Sequence, residues 1–412
     1  VSLRAAGATY RAVLRGRFLG VLAASVVGRL HESMVSFGVI LLVTHEGSYA
    51  RAGVVLAAYG AAGIVAAPLA GRLADRVGHL PVLTTSAGLF AAGLVAVGAA
   101  ADHPALPAVA ALAGFVTPPL TPAVRAWLPH LVPEEHRLTA FALESTLQEV
   151  IFVVGPVLSG AVALAAGPRT ALAAGGVATL VGTVASCGLV RGTGAMRARP
   201  RPVGQAGVLA APGVLRLMGG GVGFLLLLSV TAVALVAHVS GPRAHGSAGV
   251  LLGLTSVGSM VGGFVFAARV RPGASLAPRF VVLSGAVALL AGTAALVDGS
   301  GVGRVALAGV AFAYGTAIAP VGAVLFGRLS ETVGEARATE AFGWMGAAMG
   351  VGAVVGDAAG GWLVTVAPAW LALGAAAVVG VGTAGLVPAP PGERVPALPS
   401  TRATLGATPP TP

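Results

Sequence analysis

Lysine is absent. All 25 basic residues of this 412-residue chain are arginine. A phosphate-cradling G-x-x-x-x-G-K-[ST] loop needs that lysine, which excludes the usual nucleotide-driven machinery. No H-E-x-x-H pair occurs, so the zinc-hydrolase helix is excluded too. The single cysteine, Cys187, leaves no internal disulfide and no cysteine-held metal. Charge of either sign is scarce. At 9% charged residues, against about 25% in a typical soluble domain, the chain has too little polar surface to cover a water-exposed fold. We expect no cofactor, no metal and no enzymatic activity.

What fills the chain instead is apolar and small. Hydrophobic residues make up 56%, mean hydropathy is +0.91, and there are 62 glycines. In lipid, helices associate through close packing, which small residues permit. A pI near 11.4 would suit a nucleic-acid partner, but the arginines are scattered between apolar runs. The expected partner is the lipid bilayer, with no nucleic acid.

A membrane-spanning helix needs roughly 20 apolar residues. On that length the sequence predicts twelve spans: 18–43, 52–69, 80–101, 105–127, 140–166, 170–190, 216–239, 248–268, 279–297, 304–327, 341–366 and 369–388. No run alternates strictly, so a β-barrel is a poor reading. The expected fold class is an all-α membrane protein of twelve transmembrane helices in two pseudo-symmetric six-helix bundles.

The arginines set an orientation. With both termini inside, 20 arginines fall on inside segments and 4 outside, namely Arg51, Arg169, Arg243 and Arg304. Positive charge stays on the cytoplasmic side, so both termini are expected there, in the cell membrane. The basic, then apolar N-terminus is like a signal peptide. Its apolar run is long and contains Arg29 and Glu32, so we expect an uncleaved first span.

Four regions follow: a first bundle over 1–190, a cytoplasmic loop over 191–215, a second bundle over 216–388, and a disordered cytoplasmic tail over 389–412. The loop is rich in Arg, Pro and Gly; the tail is rich in Pro and Thr. The two bundles echo each other at an offset of 201, which aligns Glu134 with Glu335, Phe141 with Phe342, Gly155 with Gly356 and Gly160 with Gly361. Parallel six-helix repeats are a known transporter design.

Between the second and third spans lies "GRLADRVGHLP", residues 71–81. Its Gly71, Asp75, Arg76 and Gly78 make the pattern G-x-x-x-D-R-x-G, here read as a cytoplasmic turn. At this position the pattern resembles the signature loop of the major facilitator superfamily. That family usually continues with basic residues, where this chain has His79 and Leu80. "VVGPVLSG" in the fifth span, with Gly155, Pro156 and Gly160, resembles a shortened Gly-Pro motif of the antiporter branches. The resemblance implies secondary transport by alternating access. It also implies that Asp75 contacts the start of the eleventh span, across the two halves, and latches the outward-facing state. Arg76, and Arg125 near the cytoplasmic end of the fourth span, are further candidates for that latch. The fourth span has no deeper arginine of the kind many drug–proton antiporters carry.

Ionisable groups inside a span are costly and usually functional. Arg29 and Glu32 share a face of the first span, with His31 beside them; a structural ion pair is the alternative reading. The fifth span carries Glu144, Gln148 and Glu149. Glu144 is close enough to the cytoplasm to be solvated, so Glu149 is the first choice for a titrating carboxylate, with Arg29 as its counter-charge. Asp357 is a second candidate. Met34, Phe37, Tyr59, Phe312, Tyr314, Trp344 and Met345 are candidates for a substrate pocket, or for packed core. Pro118, Pro119 and Pro122 should bend the fourth span, and Pro320 the tenth.

The expected function is therefore export of a small amphipathic molecule by proton antiport, through a protein acting as a monomer. Uptake of a sugar or other metabolite on the same fold is the alternative.

Overall fold

The computed structural model describes residues 17–44, 49–197, 207–239, 245–269, 273–296 and 301–387. The N-terminal 16 residues, part of the central loop and the expected tail lie outside the described residues. Among those described, every regular element is helical.

The first half contains α1 (Arg17–Arg29), α2 (His31–Thr44), α3 (Tyr49–Val77), α4 (His79–Ala99), α5 (Leu106–Phe115), α6 (Leu120–Leu131), α7 (Arg137–Ala166) and α8 (Pro168–Val190). The second contains α9 (Val214–Val239), α10 (His245–Arg269), α11 (Ala277–Leu296), α12 (Gly301–Thr316), α13 (Ile318–Val333), α14 (Ala338–Val366) and α15 (Ala369–Leu386). They form 12 stretches long and apolar enough to cross a membrane, each overlapping an expected span. Their outward surfaces are greasy: Leu164 is 92% exposed and Leu296 88%. Such surface is stable only against lipid.

Three spans are broken, each for a local reason. The fourth is interrupted between α5 and α6 at Pro118 and Pro119, which cannot donate to the helical ladder. The tenth breaks at Ala317, between α12 and α13, three residues before Pro320. Both breaks were expected from the prolines. The break at Leu30, between α1 and α2, was not. There the Leu30 carbonyl takes hydrogen bonds from both Ser33 N (3.2 Å) and Met34 N (2.9 Å), and the ladder restarts. The corresponding span of the second half, α9, runs unbroken.

The signature stretch is also not the turn that was expected. Helix α3 continues to Val77, so Gly71, Asp75 and Arg76 are helical. Only Gly78 turns, at φ 103°, a conformation that suits glycine, and α4 starts at the next residue.

The halves meet through α3 on α14, α7 on α10 and α13, and α6 on α14. The first contact is very close. A Cβ at Gly71 would lie 2.5 Å from the Thr339 carbonyl oxygen, and one at Gly343 would lie 2.7 Å from that of Ala67. Further along, Thr139 Oγ1 donates to the Ala267 carbonyl (2.9 Å), Phe141 packs on Phe342 and Leu138 fills the space at Gly327. These contacts draw on residues 67–71 and 138–141 of the first half. All lie toward the Asp75 end of the bundle.

Candidate functional site

Two constellations emerge: one at the closed end, one deeper in the first half.

At the closed end, Asp75 projects from the last turn of α3 onto the start of α14. Its Oδ1 accepts from Thr339 N (3.3 Å) and its Oδ2 from Glu340 N (2.8 Å). These are amides of the first helical turn, which have no partner within the helix and carry the positive end of its dipole. Asp75 is buried, and so is His79, whose Nε2 lies 2.7 Å from Thr339 Oγ1 and 3.8 Å from Asp75 Oδ1. The His79 ring also meets Trp127 edge-on at 5.7 Å. His130 and Glu335 add a contact between halves at 3.8 Å. Arg76, grouped with this latch in the sequence, is exposed.

Arg125 is not a partner of Asp75, and its guanidinium meets the second half elsewhere, over the Phe326 ring. Helix α6 extends to Leu131, which places Arg125 mid-helix and buried. Its Nε donates to Glu144 Oε2 at 3.0 Å. Glu144 is wholly buried rather than solvated, because α7 begins at Arg137 and covers it within the bundle. Its other oxygen takes Arg29 Nη1 at 2.8 Å. Arg29, 1% exposed, also reaches Gln148 and, at 3.4 Å, Glu32. Glu32 in turn accepts from Thr121 Oγ1 (2.6 Å) and Gln148 Nε2 (2.5 Å). Two cations and two anions from four helices are thus interlinked, with Gln148 and Thr121 joining the set. Removing one partner from such a buried set costs about 3–5 kcal/mol.

Arg29 is therefore not the counter-charge of Glu149. Helical phase decides this: Glu144 and Gln148 are four apart on the α7 face toward α1 and α2, while Glu149 is turned a further 100° or so. Glu149 faces α10 across the seam between halves, toward Ser256 and Ser259. Asp357 is exposed on α14.

The break at Leu30 is stitched by α7. Ser33 Oγ donates to the Ile151 carbonyl (2.8 Å), and Ser159 Oγ to the Met34 carbonyl (3.2 Å). Gly155 sits against Ser33, and Gly160 lies beside Phe37. Pro156 lies within α7, between them. The Gly-Pro stretch is thus the surface on which the broken first span rests. His31 is buried there, with Nδ1 2.9 Å from the Gly28 carbonyl and its ring against Phe90.

The pocket candidates scatter. Met34 and Met345 are packed inside their halves. Tyr59 contacts Phe90 and reaches Thr117, and Tyr314, 3% exposed, turns toward Thr231. Phe37, Phe312 and Trp344 are partly exposed. Sequence reasoning missed Thr121, Ser256, Ser259 and Phe326. Only three-dimensional packing singles them out, since hydroxyls and phenylalanines are ordinary in any span.

The sequence matches the Major Facilitator Superfamily over residues 21–356. No curated protein matches it. Among solved structures, it is similar to a bacterial homologue of the iron transporter ferroportin in an outward-facing state. The identity is 14%, over 90% of this chain and 100% of that one, with TM-score 0.68. The human organic anion transporter MFSD10 is similar at 18% identity, over 91% and 99% of the two chains, TM-score 0.63. The proton:xylose symporter XylE, bound to 6-bromo-6-deoxy-D-glucose, is similar at 14%, over 92% and 95%, TM-score 0.66. At these identities the likeness is one of fold. With its twelve spans and the match over most of its length, the chain belongs to the major facilitator superfamily.

Proposed function

We propose that this transporter exports a small amphipathic molecule from the cell in exchange for protons. The arginine bias supports cytoplasmic termini in the cell membrane. The Asp75 end is then the cytoplasmic gate, and the conformation is outward-facing. One observation carries the coupling: among the described residues no arginine pairs with Glu149 at the seam between halves, while Glu32 and Glu144 have theirs. A carboxylate at a moving seam changes its access to either side as the halves rock, and can take up a proton on one side and release it on the other. The Arg29–Glu144–Arg125 set braces the first half during that motion.

The test uses inside-out vesicles made acid within and a panel of small amphipathic compounds. Exchange predicts gradient-driven accumulation, lost in Glu149→Gln, while gradient-independent substrate exchange persists. Full pH-driven accumulation by a well-expressed Glu149→Gln protein would remove Glu149 from the coupling. Efflux down the same gradient would instead mark an uptake symporter of sugars or other metabolites.

A further inference from the structure

Every permanently charged basic side chain in this protein is an arginine. At the closed end, two contacts between the halves run through histidine instead. His79 Nε2 lies 2.7 Å from Thr339 Oγ1 of α14 and 3.8 Å from Asp75 Oδ1. His130 Nδ1, from α6, lies 3.8 Å from Glu335 of the second half. Both rings border one small polar cavity, together with Asp75, Arg197 and Glu335. The start of the central loop is held there by His79 N, which donates to the Met196 carbonyl at 3.4 Å and so sets Arg197 at the rim.

The signs of these charges differ across the seam. Facing the two rings are Asp75 and Arg197 of the first half, and Glu335 and Glu340 of the second. Glu340 is buried and close enough to repel Asp75. With both histidines neutral, Asp75 and Arg197 cancel, and the first half offers no net charge to the two glutamates. With both protonated, it offers two positive charges to them. Histidine is the side chain that makes this change near neutral pH.

We propose that His79 and His130 make the closed end a proton-sensitive gate, held shut by acid on its own side. A protonated His79 donates from both ring nitrogens, so it clamps Thr339 Oγ1 and keeps Asp75 ionised on the α14 amides. A protonated His130 turns its approach to Glu335 into an ion pair between the halves. Each added charge attracts only where the halves touch, so acid favours the closed end and alkali releases it. A proton on Asp75 acts the other way, by taking the charge off those amides. In the orientation proposed above, this end meets the cytoplasm. An exporter that admits protons thereby closes itself as the cytoplasm turns acid.

The test places nitroxide spin labels on cysteines at Glu135 and Thr332, exposed on either half, in a Cys187→Ser background. Pulsed double electron–electron resonance on the purified protein reads the distance across the closed end. A parallel series in Gly343→Ala brings the equilibrium into range should the native end stay shut throughout. Between about pH 8 and about pH 6, the ratio of closed to open forms should rise roughly fivefold to tenfold. His79→Gln and His130→Gln should each remove part of that response, and the double variant all of it. His79→Arg should hold the end shut at both pH values, with thermal midpoints showing that the variants are folded. A flat profile in both backgrounds, an end that opens as pH falls, or a response that survives the double glutamine variant would overturn the proposal. The same titration in Glu149→Gln keeps the gate apart from the coupling. A response lost there but kept in the double glutamine variant belongs to Glu149, whereas the reverse leaves the gate standing whatever Glu149 does.

Discussion

The Arg125 guanidinium of the first half lies over the Phe326 ring of the second, with Cζ 3.7 Å from the ring centroid. Glu144 fixes the arginine from behind, so the cation is presented to the ring already oriented. Phe326 in turn meets Phe342 edge-on at 6.4 Å. The buried charges of one half thus touch the aromatic cluster of the other at the closed end.

That contact should hold the end shut. Phe326→Leu removes a cation–π interaction of about 0.5–2 kcal/mol. Disulfide formation between cysteines placed at His130 and Glu335, on a Cys187→Ser background, should fall. Phe326→Tyr should restore it. Equal loss in both variants would point to packing volume rather than the ring face.

Asp75→Asn keeps the shape of the latch but removes its charge from the start of α14. We expect the closed end to loosen by about 1–3 kcal/mol. The same disulfide reports it. An unchanged yield would leave Asp75 as a passive helix-end residue.

Gly343→Ala should act on the same equilibrium by sterics alone. The added methyl meets the Ala67 carbonyl, and such overpacking costs about 1–3 kcal/mol. Because the clash exists only where α3 and α14 touch, the variant should fold normally and favour the state open at this end. A lowered thermal midpoint without any change in cross-linking would contradict that.

Glu144→Gln leaves Arg29 and Arg125 facing a neutral amide. The loss should be about 3–5 kcal/mol, read as thermal midpoint and folded yield. Arg125→Leu combined with Glu144→Leu should recover part of it, since an apolar pair needs no compensation. Wild-type stability in Glu144→Gln would mean that water already screens the network.

Hydropathy alone located the spans, because twenty apolar residues in a row have few other uses. Proline marked two of the three breaks, since it removes a donor wherever it stands. The third, at Leu30, has no such residue. It is held by Ser33 donating to α7 and by Ser159 of α7 donating back to Met34, and serines say nothing in sequence about which carbonyl they will meet. Pairing was the least legible level. Arg29 was matched with Glu149 on depth, but the angular position of Glu144 on α7 decided the partner. The contact of Asp75 with the eleventh span was implied by resemblance and appears in the structure; its neighbour Arg125 went elsewhere because α6 is longer than its hydropathy suggested.

The one-residue joint at Gly78 sets how motion reaches the latch. With no slack between α3 and α4, a tilt that carries the backbone at Asp75 away from α14 is one that α4 follows. Helix α4 is packed along α8, and α8 along α1, so the tilt is handed to the whole first half. The latch is in effect a gauge of that body's attitude in the membrane. A ligand seated far away needs only to lean on one half for the strain to arrive there undiluted.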